Sequence, residues 1–131
     1  MQFRQEHLII SRLCMEMARW FGQGTYANDE RRTEKCEYAQ IISALMIGHI
    51  EERPFCSSKL ATYLDMPRSS VTRKLAKLVK EGIVKRNGRH FYLVPAAIDN
   101  DLWSRNIIAI VRAVKRAADE LSKLDTSPSP I

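Results

Sequence analysis

A run of two short helices and a hairpin over residues 57–94 constrains the fold of this chain more than any other feature. Helical spacing of the apolar residues predicts a helix over residues 57–64 and a longer basic helix over residues 68–81, joined by a turn at Leu64-Asp65-Met66-Pro67. Two helices joined by a turn of about three or four residues form a helix-turn-helix. Residues 83–94 then have the pattern of a β-hairpin. Together these elements predict a winged helix.

The positive charge of the chain is concentrated in the same residues. The whole sequence has 21 Lys and Arg against 15 Asp and Glu, a formal net charge of +6. Residues 57–94 hold nine of these bases and two of the acids, a net charge of +7, whereas the other residues have a net charge of −1. A surface of one sign suits the phosphate backbone of nucleic acid. We therefore predict double-stranded DNA as the partner of this unit.

The second helix carries its polar residues on the side opposite to its apolar stripe, which Val71, Leu75, Leu78 and Val79 form. In a helix-turn-helix the N-terminal half of this helix reaches base edges, where Arg pairs with guanine and Ser and Thr make adaptable contacts. A solvated helix face is the alternative. For Lys74, Lys77 and Lys80, phosphate contact and plain solubility are comparable interpretations. The residues predicted to contact DNA are Arg68, Ser69, Ser70, Thr72, Arg73, Lys77, Lys80, Arg86, Asn87 and Arg89.

The hairpin is predicted to turn at Asn87-Gly88, the strongest short signal for a two-residue type I′ turn. That register pairs Arg86 with Arg89 and Val84 with Phe91. Alternation of apolar and polar residues places Val84, Phe91 and Leu93 on the core face. The two arginines at the tip suit the minor groove, whose narrow A·T tracts attract arginine.

Three further helices are predicted, over residues 3–21, 33–50 and 98–124. The middle one supplies a buried stripe and precedes a very short strand at Phe55, expected to pair with the hairpin. The first and last have more apolar surface than one small core can cover, so we expect a second subunit to cover the excess. The residues predicted at this dimer interface are Leu13, Met17, Ile107, Ile110, Val111, Val114 and Leu121.

The predicted fold class is mainly α, a winged helix-turn-helix with a small β-hairpin wing and flanking dimerisation helices. We expect one domain over residues 1–131. Its parts are dimerisation helices in residues 1–24 and 98–125, a winged-helix core in residues 33–95 with the DNA-binding unit in residues 57–94, and a disordered tail in residues 126–131.

Other classes of protein fit the sequence less well. The three cysteines, at positions 14, 36 and 56, form no CxxC pair, which favours a reducing cytosol. No apolar run approaches the roughly 18 residues of a membrane span, and no signal-peptide core follows the first residue, so we expect a cytoplasmic protein without a membrane partner. There is no Gly-rich phosphate loop, no metal-ligand spacing and no evident nucleophile–base pair. We therefore expect that the protein is not an enzyme and that it has no catalytic residue, no bound metal and no cofactor.

A further pattern connects the second helix to the hairpin. Its members fit S-x-T-R-x-L-x-x-L-x-x-x-G-x-V-x-R, and they are Ser70, Thr72, Arg73, Leu75, Leu78, Gly82, Val84 and Arg86. This pattern resembles the recognition helix and first wing strand of MarR-type winged-helix transcription regulators, and the resemblance covers residues 54–94. The wing of this chain is short and lacks the Asp-x-Arg segment usual in that family, and one long helix follows it where the family often has two.

The resemblance implies a transcription regulator, a repressor in our expectation, that binds a pseudo-palindromic operator as a homodimer. Some MarR-type regulators sense oxidants through a cysteine on the first helix, here Cys14, but a buried structural cysteine is the favoured interpretation. Trp20 and Trp103 are expected to pack in the core or interface, with the pocket of a small-molecule effector as the alternative. A winged helix used for protein–protein contact is the second hypothesis, and the net charge of +7 argues against it. Nonspecific nucleic-acid binding is a variant of the first hypothesis, which is a DNA-binding transcription regulator.

Overall fold

The computed structural model describes residues 3–21, 32–99 and 102–124. In chain order the elements are α1 (Gln5–Phe21), α2 (Arg32–Ile50), β1 (Phe55–Cys56), α3 (Ser57–Leu64), α4 (Arg68–Lys80), β2 (Val84–Asn87), β3 (His90–Leu93), α5 (Pro95–Asp99) and α6 (Leu102–Leu124). The strands form an antiparallel sheet in the order β1-β3-β2. The fold is a mainly α winged helix-turn-helix, as the sequence predicts. The predicted tail at residues 126–131 lies outside the described residues.

The core lies where α2, α3, α4 and the sheet meet. Its most buried side chains come from the stripes that helical and strand periodicity predict, and they are Tyr38, Ile41, Ile42, Leu45, Leu60, Val71, Leu75, Leu78, Val84 and Leu93. Full burial of one large apolar side chain stabilises a fold by about 1.5–3 kcal/mol. This core therefore fixes the orientation of α4 against α2.

The turn between α3 and α4 lies at the residues that the sequence predicts. Asp65 adopts the left-handed conformation, with φ 54° and ψ 49°, which a short polar side chain tolerates at modest cost. Its N–H donates to the carbonyl of Thr62, and the N–H of Met66 donates to that of Ala61. Proline suits the first position of a helix, but Pro67 lies just before α4, because its ψ of 136° is extended.

The end of α4 places the wing beside it. Gly82 has a φ of 79°, in the left-handed region that favours glycine. The N–H of Ile83 donates to the carbonyl of Leu78, which closes the helix, and the N–H of Val94 donates to the carbonyl of Ile83. The first end of the hairpin is thus tied to α4, and the second end is tied to the first.

The hairpin register differs from the prediction. Val84 pairs with Leu93 and Arg86 with Phe91, so the two-residue turn is Gly88-Arg89 and not Asn87-Gly88. A positive φ at the first central residue alone, 64° at Gly88, is the pattern of a type II′ turn. The observed register places the buried side chains of Val84 and Leu93 opposite each other. The predicted core face is unchanged.

The described residues of the C-terminal region form two helices, α5 and α6, where the sequence predicts one helix over residues 98–124. Pro95 begins the short helix α5, since proline fits the first helical position, and α6 begins at Leu102. Ala97 of α5 packs against the core. Residues 100 and 101 lie outside the described part of the chain.

Helices α1 and α6 pack along each other within the single chain. Ile9 of α1 is buried there, as are Ile110, Ala113 and Ala117 of α6. The Glu16 carboxylate lies 3.6 Å from the guanidinium of Arg116 across the same contact. The main intrachain partner of each terminal helix is therefore the other terminal helix.

Candidate nucleic-acid interface

The outer face of α4 is exposed along its whole length. Ser69, Thr72, Arg73 and Lys80 are exposed, and Arg68 is exposed at the N-terminus. Ser70 and Lys77 lie at the margins and are half-buried. The structure therefore brings the predicted contact residues of α4 onto one accessible surface, with the four buried positions of the helix on the opposite side.

Lys74, and not Val79, is the fourth buried residue of α4. Val79 is 37% exposed, whereas Lys74 is 1% exposed. The Lys74 ammonium lies 3.7 Å from the Glu37 carboxylate of α2 and 5.7 Å from the centre of the Tyr38 ring. A lysine enclosed in this way reaches neither a phosphate nor solvent, so both interpretations of Lys74, phosphate contact and plain solubility, are wrong. Its charge is satisfied inside the protein instead.

Two more cations of α4 face the N-terminal turns of α2. The guanidinium of Arg73 lies 3.5 Å from the Glu34 carboxylate, with the Arg73 side chain 60% exposed. The Lys77 ammonium lies 5.7 Å from the centre of the Tyr38 ring, within the range of a cation–π interaction. Helical spacing puts Glu34, Glu37 and Tyr38 on one face of α2. The sequence gives no sign that this face meets α4, so these partners of the α4 cations were not predicted.

The wing presents its arginines differently from the prediction. Arg86 lies opposite Phe91 in the sheet, with its guanidinium 5.8 Å from the ring centre, and its Nε donates to the carbonyl of Gly88 at 2.8 Å. Arg89 is exposed in the turn itself, next to Gly88, and Asn87 is exposed at the end of β2. Since a guanidinium has five N–H donors, one internal bond leaves Arg86 able to contact DNA from a fixed position.

The prediction that Cys14 is buried is wrong. Cys14 is exposed, and helical spacing places it about 140° around α1 from the buried Ile9. Cys56 is half-buried just before α3. A hydrogen bond with the Ser58 hydroxyl, 3.4 Å from Sγ, and the backbone N–H groups at the start of α3 lower the pKa of the Cys56 thiol. Cys56 therefore ionises more readily than an ordinary cysteine.

A cavity of about 350 Å³ lies between the C-terminal part of α1, the outer side of α2 and α3. Its lining includes Ala18, Ser43, Ile47 and Tyr63. The side chains of Trp20 and Trp103, for which an effector pocket is the alternative interpretation, lie outside the described residues.

Within the described ranges no group of His, Cys, Asp or Glu side chains could hold a metal ion. No helix in the same ranges is long and apolar enough to cross a membrane.

The comparison with protein families indicates which class of protein carries this interface. Residues 39–86, from the middle of α2 to the first wing strand, match the family model described as bacterial regulatory protein, arsR family. The chain carries a DNA-binding winged helix-turn-helix of a transcriptional regulator. The match covers about a third of the chain and supports the winged helix-turn-helix and the regulator class, not the MarR subtype. Comparisons with curated proteins and with solved structures gave no match.

Proposed function

We propose that this regulator binds a specific, pseudo-palindromic operator as a homodimer and acts as a repressor. Helix α4 enters the major groove and the wing lies at the minor groove. The observation that carries this proposal is the exposed outer face of α4, where Ser69, Thr72 and Arg73 lie on the N-terminal half and Lys80 follows toward the wing. Base-reading side chains occupy this part of a recognition helix, and cations nearer its end contact phosphates.

The homodimer is supported by an exposed apolar stripe on α6. Ile107, Val111 and Val114 are 38%, 43% and 44% exposed, although they follow one another at spacings of four and three residues. Ala118 and Leu121 continue the same spacing, which is that of a helix–helix seam. The apolar face of α6 is wider than its contact with α1. One side of this face packs on α1, and the exposed stripe forms the other side. A second subunit would cover it and hold two α4 helices about one DNA turn apart, ~34–36 Å.

The proposed interface is narrower on α6 than the sequence predicts. Ile110 is 6% exposed because it packs within the chain, so we leave it out of the interface. Leu13 and Met17 of α1 are half-buried. They stay in the proposal, with Leu121, as residues at the edge of the seam.

A small-molecule effector also remains part of the proposal. The cavity beside α2 touches α1, which belongs to the proposed dimerisation unit, and α3, which belongs to the helix-turn-helix. A ligand bound there would therefore contact both parts of the molecule. Its apolar lining suits a small apolar compound.

The salt dependence of DNA binding tests the proposed function. If a dimer neutralises on the order of 6–10 phosphates, the logarithm of the binding constant should fall against the logarithm of salt concentration with a slope of about −5 to −9. A fluorescence-anisotropy titration of labelled duplex from low to physiological salt measures this slope. No binding at low salt, or a flat dependence, would contradict the proposal. Equal affinity for all duplexes would favour nonspecific nucleic-acid binding instead.

A winged helix that contacts another protein is the second candidate. The favourable observation is the apolar character of the exposed α6 stripe, which a different protein could cover as well as a second copy. The two candidates differ in their nucleic-acid affinity. A protein-binding module has no need of the cations on the outer face of α4, and it should bind DNA weakly at physiological salt.

A further inference from the structure

The ion pair between Arg73 of α4 and Glu34 of α2 leaves much of the Arg73 side chain exposed. Arg73 can therefore contact a second partner while it is paired with Glu34. The two side chains meet through one terminal nitrogen of the guanidinium, at 3.5 Å from the Glu34 carboxylate. Arg73 stays 60% exposed in this contact, while Glu34 is 27% exposed. The Glu34 side chain is thus the more enclosed partner, and more than half of the Arg73 side chain faces solvent.

The position of Arg73 around α4 explains how it can serve two partners. At about 100° per residue, Lys74 and Lys77 lie on the flank that faces α2, whereas Ser69 and Lys80 lie on the outer face. Arg73 falls between these two groups. It can therefore hold Glu34 with one edge and present its other donors to DNA.

The helix that carries the acceptor is packed in place. Glu34 lies in the first turn of α2, and α2 packs against α4 through the core and through the enclosed pair of Lys74 with Glu37. An arginine side chain that is not held must lose much of its rotamer freedom when it docks on a base. A guanidinium already paired with a carboxylate on this packed helix loses less of it.

We propose that Glu34 is a positioning residue for base recognition, which orients the Arg73 guanidinium toward a guanine of the operator. This inference rests on the proposed function, because it assigns Arg73 to base readout. Glu34 should also discriminate against random DNA. Its negative charge lies beside the recognition helix and repels phosphates wherever Arg73 gains no bidentate contact in return.

The test is the replacement Glu34→Gln, which removes the charge and keeps the size of the side chain. Binding to the operator and to random duplex is measured by anisotropy, and base preference is measured by selection from a pool randomised within the operator. Operator affinity should fall about three- to tenfold, and affinity for random duplex should stay the same or rise. The loss of preference should be confined to the base position that Arg73 specifies. Asp119→Asn is the matched control, since Asp119 forms an exposed ion pair with Lys123 on α6, and it should leave base preference unchanged.

A double variant separates positioning from a general charge effect. In an Arg73→Ala background, Glu34→Gln should cause no further loss of operator affinity. If Glu34→Gln raises operator affinity as much as random affinity, Glu34 competes with DNA for Arg73 and the inference is wrong. A loss that persists in the Arg73→Ala background would also overturn it. Absence of DNA binding by the native chain would overturn the proposed function, and this inference with it.

Discussion

Replacement of Val111 and Val114 by glutamate should convert the protein from dimer to monomer and lower operator affinity by more than about 100-fold. Both side chains are exposed in the single chain, so the change leaves the α1–α6 contact intact. In a dimer each new carboxylate would be buried against the other subunit without a partner, which is strongly unfavourable. Two half-sites held by one dimer gain about 10²–10⁴ in affinity over separate binding. The monomer should lose this gain although every proposed DNA contact remains.

Arg112→Glu is the matched control for this experiment. It changes the net charge by the same two units, and Arg112 is exposed about 100° around the helix from Val111. Sedimentation equilibrium at micromolar concentration should show a dimer for the native chain and for the control, and a monomer for the double variant. A native chain that sediments as a monomer and still binds the operator tightly would contradict the proposed dimer.

Arg73→Ala and Lys80→Ala should separate base reading from phosphate contact. Loss of a bidentate arginine–guanine pair costs about 1–3 kcal/mol, so Arg73→Ala should weaken operator binding roughly 5- to 150-fold and relax preference at one base position. Lys80→Ala should weaken operator and random duplex alike, and it should reduce the salt slope by about one for each phosphate that the variant no longer neutralises. Titrations of both variants against both duplexes measure these effects.

Neither substitution should unfold the protein, because both side chains lie on the exposed face of α4. Thermal melts followed by circular dichroism check this point. If Arg73→Ala weakens binding to operator and to random duplex equally, then Arg73 contacts the DNA backbone and does not read a base.

Local chemistry makes the central unit predictable from sequence. The turn at Asp65, the end of α4 at Gly82 and the strand at Phe55 each depend on a few neighbouring residues, and all three occur where the sequence predicts them. Apolar spacing likewise predicts the buried stripes of α2 and α4, with Val79 as the exception. Such patterns determine which face of an element is buried.

The wrong predictions concern contacts between elements distant in sequence. Two hairpin registers keep Val84, Phe91 and Leu93 on the same face, so alternation could not distinguish them, and pairing of Val84 with Leu93 selects one. Lys74 is buried because Glu37 and Tyr38 of α2 compensate its charge. Sequence pattern predicts that a charged residue in a helix is exposed to solvent, unless the partner that compensates its charge is known. The pairing of Arg73 with Glu34 is unpredictable for the same reason.

Sequence-specific DNA binding by a dimer of this chain, with α4 as the reading helix, is the central claim. Selection of bound duplexes from a random pool by the native protein, at physiological salt, tests it most directly. The selected sequences should share an inverted repeat whose half-site centres lie about one helical turn, or 10–10.5 base pairs, apart. A selected pool with no common motif would contradict the claim.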